Sequence, residues 1–157
     1  MPAPSQPAAF AYQPTFQGGP STPGAILRNA VEPIVVTPTV ASAATIINYD
    51  VLVQSILYYT ASATNNWTLN IRGSENARLD SILKINEVIT VVHMVTQGAS
   101  AFFMGALQID GVPITPKYQG GTAFSAGNAS SIDVYTYTII KTAPGTFTVL
   151  ASQSQFK

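Results

Sequence analysis

The run Ile132-Asp133-Val134-Tyr135-Thr136-Tyr137-Thr138-Ile139-Ile140-Lys141, then Ala143-Pro144-Gly145, then Thr146-Phe147-Thr148-Val149-Leu150-Ala151-Ser152, decides the fold of this chain. Val, Ile, Thr, Tyr and Phe fit a pleated surface, and Pro followed by Gly suits the two central positions of a type II turn. Two strands joined by such a turn make a hairpin. Ile132, Val134, Thr136 and Thr138 oppose Asp133, Tyr135, Tyr137 and Ile139, and neither set is strongly polar. That pattern points to a strand covered on both sides.

Upstream, the same signature recurs at Ile34–Val36, Thr45–Val53, Ile56–Thr60, Trp67–Ile71, Val88–Thr96, Ala101–Phe103 and Ala106–Asp110, between Gly, Asn, Pro or Ser clusters. Ile47, Tyr49, Val51 and Val53 alternate with Asn48, Asp50 and Leu52, as in a half-buried strand. Asp110-Gly111 suits a tight hairpin turn. One short helix is expected, Arg78–Lys84, with Leu79, Ile82 and Leu83 facing inward. Many short strands with regular turns predict an all-β protein, an antiparallel β-sandwich of jelly-roll-like form.

Eight of the eleven prolines precede Thr39, in a segment that also holds Phe10, Tyr12 and Phe16. Residues 1–38 are therefore read as an extended proline-rich N-terminal arm, and residues 39–157 as the sandwich domain. The arm lacks a core of its own, and its three aromatics suit docking on a neighbouring subunit.

Lys and Arg number 7, as do Asp and Glu, and charged residues make up 9% of the chain. No basic field is present to hold a phosphate backbone, so nucleic acid is not expected as a direct partner. A neutral surface built from Thr, Ser, Asn, Gln and Ala is weakly protected against association and favours an assembled protein. Met1 to Leu27 carries no charged n-region and many prolines, so no signal peptide is read there. Val88–Ile109 is interrupted by His93, Thr96, Gln97, Gly98 and Ser100, so no membrane span is expected.

The inventory for chemistry is thin. There is no Cys and one His, His93, which shares the register of Val91 and Val95 and reads as a packed side chain. No G-x-S-x-G elbow or phosphate loop is present. A triad of His93 with Asp110 or Asp133 finds no support in spacing, and the acids Glu32, Asp50, Glu75, Asp80, Glu87, Asp110 and Asp133 form no specific pair. No catalytic residue, cofactor or metal is expected. The sequons at Asn66 and Asn128 are discounted for want of a secretory signal. Trp67, Tyr118 and Phe124 are the ring candidates for stacking on a sugar, and a glycan partner is weighed but not favoured over core or interface packing.

The stretch Gln54–Phe156 resembles a small β-sandwich module that recurs in virion structural proteins of tailed phages, especially those infecting marine cyanobacteria. The resemblance is carried by Gln54-Ser55-Ile56-Leu57-Tyr58-Tyr59, Trp67-Thr68-Leu69-Asn70-Ile71-Arg72-Gly73, Thr96-Gln97-Gly98, Gln108-Ile109-Asp110-Gly111 and Thr115-Pro116-Lys117-Tyr118-Gln119-Gly120-Gly121-Thr122-Ala123. It continues through Gly127-Asn128, Ser131-Ile132-Asp133-Val134-Tyr135, Thr138-Ile139-Ile140-Lys141-Thr142 and Phe147-Thr148-Val149-Leu150-Ala151-Ser152-Gln153. Departures are Tyr118 where Trp is commoner, Phe102-Phe103 in place of paired Tyr, and Asn86 in place of Gly. The resemblance implies a non-enzymatic particle component. With a compact body and an arm, the expectation is a capsid decoration or cement protein on the virion surface. Its expected partners are the major capsid protein and itself, as a homotrimer, through Phe10, Tyr12, Phe16, Trp67 and Tyr118. A neck, baseplate or tail-fibre module contacting host glycans is the alternative; a polysaccharide hydrolase would need two convergent carboxylates such as Asp110 and Asp133.

Overall fold

Residues 31–42 and 46–157 are described in a computed structural model. The elements are β1 (Ile34–Thr37), β2 (Ile46–Asp50), β3 (Ile56–Tyr59), β4 (Trp67–Arg72), α1 (Leu79–Ile82), β5 (Val88–Thr96), β6 (Met104–Ile109), β7 (Val112–Ile114), β8 (Lys117–Tyr118), β9 (Ile132–Ala143) and β10 (Thr146–Phe156). One sheet has six strands in the order β1-β3-β5-β9-β10-β8, and the other has four in the order β2-β4-β6-β7. The all-β sandwich expected from the sequence is the observed fold. Its core joins Ile47, Tyr49, Leu69, Ile71 and Leu107 of the smaller sheet to Leu57, Val91, Val95, Tyr137 and Ile139 of the larger.

Strand pairing departs from the antiparallel, jelly-roll-like arrangement. β1–β3, β3–β5, β2–β4, β4–β6 and β8–β10 are parallel. Only β5–β9, β9–β10 and β6–β7 are antiparallel among the described residues. The cause is the path of the chain: β1 to β6 alternate between the two sheets. A parallel pair needs a crossover, and here each passage through the opposite sheet supplies it. Successive strand pairs therefore wind like a coil, and 22 residues separate Asn48 from its neighbour Asn70, and Asp50 from Arg72.

Local turn chemistry follows the sequence more closely. Asp110 and Gly111 join β6 to β7 with φ of 52° and 80°, the left-handed pair that a type I′ hairpin turn requires. Pro144-Gly145 joins β9 to β10, with Gly145 at φ 64°. Asn86, where Gly is the commoner residue in the resembling module, takes φ 70° as its short polar side chain allows. The helix is shorter than expected, and Leu79 is its buried anchor.

Two boundaries move. β1 pairs with β3 along its whole length, so the sandwich begins before residue 39, and the compact body runs from Glu32 to Lys157. Ala101–Phe103 is not a strand. The side-chain amide of Gln97 donates to the Phe102 carbonyl at 2.7 Å and accepts its N–H at 3.0 Å, so one side chain replaces the strand partner. Val88–Ile109 resolves into β5, a loop and β6, and no helix among the described residues is long and apolar enough to cross a membrane.

Candidate functional site

Alternation along β5 turns His93 inward between Val91 and Val95, and it is fully buried. Its ring meets Tyr59 edge-on at 5.4 Å and Trp67 at 6.0 Å. Neither ring nitrogen has a hydrogen-bond partner. Burial among uncharged rings pushes its pKa down to about 3, because the imidazolium would lose its water without gaining a counter-charge. His93 is a neutral core residue, and no aspartate completes a triad with it.

Trp67, read from the sequence as a partner-facing ring, is 2% exposed. It starts β4 with its side chain on the inner face, so its ring is spent on the core. Rings continue from it in edge-on contacts: Trp67 to Tyr135 at 5.6 Å, Tyr135 to Phe124 at 5.3 Å, and Phe124 to Tyr118 at 4.9 Å. Tyr118 is the half-buried outer end of this chain and lines a shallow groove of about 430 Å³ with Lys117, Gln119 and Leu150. Burial raises the pKa of Tyr135 and Tyr137, since a phenolate there would be unsolvated. Phe10, Tyr12 and Phe16 lie outside the described residues.

The carboxylates hold the frame. Asp133 is buried and accepts from Gln97 Nε2 at 3.1 Å, from the Asn128 N–H at 3.0 Å and from Asn128 Nδ2 at 2.7 Å. Gly127 completes this cluster by close approach: a Cβ there would lie 2.0 Å from the Phe102 carbonyl oxygen. Asp110 accepts the N–H groups of Leu79 and Asp80 at 2.7 and 3.0 Å, fastening the start of α1 to the β6–β7 turn. Asp80 pairs with Lys141 at 2.8 Å and accepts the Gly145 N–H at 2.7 Å. The Lys141 ammonium and that N–H hold its carboxyl below the usual range. The stretches Thr96-Gln97-Gly98, Gly127-Asn128 and Ser131-Ile132-Asp133 thus meet in one place, as framework. Among the described residues no three His, Cys, Asp or Glu side chains converge to hold a metal.

What the molecule offers outward is two unlike faces. On the smaller sheet, Asn48, Asn70 and Gln108 stand side by side in register, and Asn70 Nδ2 donates to Asn48 Oδ1 at 2.8 Å. Beside them Arg72 Nε meets Asp50 Oδ1 at 2.6 Å. On the larger sheet the rows run Ile34, Ile56, Val92, Thr136, Ser152 and Val36, Tyr58, Met94, Val134, Ser154. No charged side chain stands on the outward positions of β1, β3, β5, β9 or β10; the first charge is Lys117 on the edge strand β8. Ile34, Val36, Val88, Leu150 and Phe156 are exposed there. The sequence carried one signal of this face, the lack of a strongly polar side in β9.

Comparison with family models, with curated proteins and with solved structures finds no match to this chain.

Proposed function

We propose that this chain is a non-enzymatic structural protein of a phage virion, a decoration or cement protein that stabilises the capsid by bridging its subunits. The observation that carries the reading is the outer face of the six-stranded sheet, uncharged over five strands and rich in exposed aliphatic side chains. The aliphatic side chains interspersed on it leave apolar surface in water, and covering that surface is worth roughly 25 cal/mol per Å². Such a face belongs to a protein that works assembled. The resemblance to phage virion modules supplies the kind of assembly, with the major capsid protein and further copies of the chain as partners. The use of Asp110, Asp133 and His93 as framework and core supports a role without turnover.

The test is copy number. Quantitative mass spectrometry of purified particles is expected to find this protein at the same order of abundance as the major capsid protein. An abundance far below it overturns the decoration role and places the protein at a neck, baseplate or tail.

A further inference from the structure

We propose that the outer face of the six-stranded sheet packs against the same face of a second copy of this chain, giving a two-fold dimer. The inference rests on the reading of this face as an assembly surface and names what covers it.

Charge selects the occupant. Across a two-fold axis each row meets its own copy, so an outward Lys or Glu near the axis would face a like charge and oppose the contact. The outward positions of β1, β3, β5, β9 and β10 hold none. A partner recognised by charge would find nothing there to read, whereas an identical neutral face meets no repulsion.

The polar groups point the same way. Apart from backbone and Lys117 on the edge strand, those on the face are hydroxyls: Tyr58, Thr90, Thr96, Thr136, Thr138, Thr142, Thr148, Ser152 and Ser154. A hydroxyl both donates and accepts, so it can pair with its own kind, which a carboxylate or an ammonium cannot. The face already does this within one chain: Thr90 Oγ1 and Thr138 Oγ1 lie 3.3 Å apart across β5 and β9, and Thr96 Oγ1 donates to the Tyr58 hydroxyl at 3.3 Å.

Size is sufficient. Strands of 9, 12 and 11 residues, with shorter neighbours about 4.8 Å apart, give a face of roughly 20 Å by 30 Å. That is roughly 600 Å², near the approximately 800 Å² per partner of an ordinary stable interface. Two such sheets stack about 10 Å apart, with Thr136 near the centre of the contact and Lys117 at its rim.

The experiment is sedimentation of the purified full chain. A species of twice the 16.5 kDa chain mass is expected, with a dissociation constant that does not weaken as salt rises. Thr136→Lys and Leu150→Lys each place a charge on the face and should weaken the dimer at least about 100-fold. Leu150 is 45% exposed, so its variant keeps the fold, which circular dichroism verifies. Gln108→Lys, on the smaller sheet, should leave the dimer unchanged. A monomer up to ~100 µM, a trimer, a salt-weakened dimer, or a dimer indifferent to Leu150→Lys overturns the proposal. A monomer in solution with shell-like copy number in particles sinks the pairing alone. A dimer at low copy number sinks the decoration role alone.

Discussion

The two sheets of this sandwich distribute polarity in opposite senses. The smaller sheet sends Ile47, Tyr49, Leu69, Ile71, Leu107 and Ile109 inward and keeps Asn48, Asn70, Gln108, Asp50 and Arg72 outside. The larger sheet turns Asp133, His93, Lys141, Tyr135 and Tyr137 inward and shows Ile, Val, Met, Thr and Ser outside. On the smaller sheet Asn48, Asp50, Arg72 and Gln108 keep contact with water, while Asn70 is nearly covered and bonded to Asn48 and Gly111; in the larger sheet protein groups satisfy Asp133 and Lys141 and leave His93, Tyr135 and Tyr137 without partners. Removing an inward polar group that holds hydrogen bonds should therefore cost more than removing an outward one.

The largest effect is expected at Asp133. Its replacement by Ala takes from Gln97 Nε2 one of its two acceptors and from both nitrogens of Asn128 theirs, in a partly buried cluster, and should cost about 3–5 kcal/mol in urea unfolding. A loss below about 1 kcal/mol would mean that the larger sheet does not depend on this cluster.

His93 gives the larger sheet a dependence on pH. Folding lowers its pKa to about 3, so between about 6.5 and 3 the unfolded chain binds a proton that the folded chain refuses. Stability is full above that window and falls by about 1.4 kcal/mol per unit as pH drops through it, roughly 2.5 kcal/mol by pH 4.5. In His93→Phe the urea midpoint should hold nearer its neutral value on acidification. An acid loss as steep as that of the natural chain would clear His93 of the effect.

On the smaller sheet the costs shrink. Asn70→Ala removes the bond to Asn48 and leaves the Gly111 N–H without its 2.8 Å acceptor, for about 1–2 kcal/mol of thermal stability. Asp50→Asn weakens a pair in which both side chains remain about a quarter exposed, and should cost under about 1 kcal/mol, fading in high salt. If either cost matched that of Asp133→Ala, the two sheets would not differ as described.

The same opposition explains what could be read from the sequence. β2 shows its inner side at once, because Ile47 and Tyr49 alternate with Asn48 and Asp50. β9 offers Asp133 in register with Tyr135 and Tyr137, so alternation marks a strand without saying which side faces in. Only the cluster of Gln97, Gly127, Asn128 and Ser131 makes the aspartate side the inner one, and Gln97, which ties it to the end of β5, is 36 residues away in the chain. Turns at Asp110-Gly111 and Pro144-Gly145 were legible because their chemistry is local. Parallel pairing was not, because nothing in Ile34–Thr37 names β3 as its neighbour. Trp67 misled for a similar reason: a ring at the start of a strand suits a core or an interface alike, and only the packing of β4 turns it inward.

The winding of β1 to β6 also sets an order on folding. β9 and β10 meet through a two-residue turn, a closure that costs little chain entropy and takes microseconds. β5 must then find β9 across separations such as the 48 residues between Thr90 and Thr138. In the finished sheet β3 lies on the far edge of β5, and β1 lies beyond β3. On the ribosome β1 to β4 emerge before β9 exists; β1 has β3 and β2 has β4 as partners, but the free edge of β3 must wait for β5, and the two longest strands of its sheet come last.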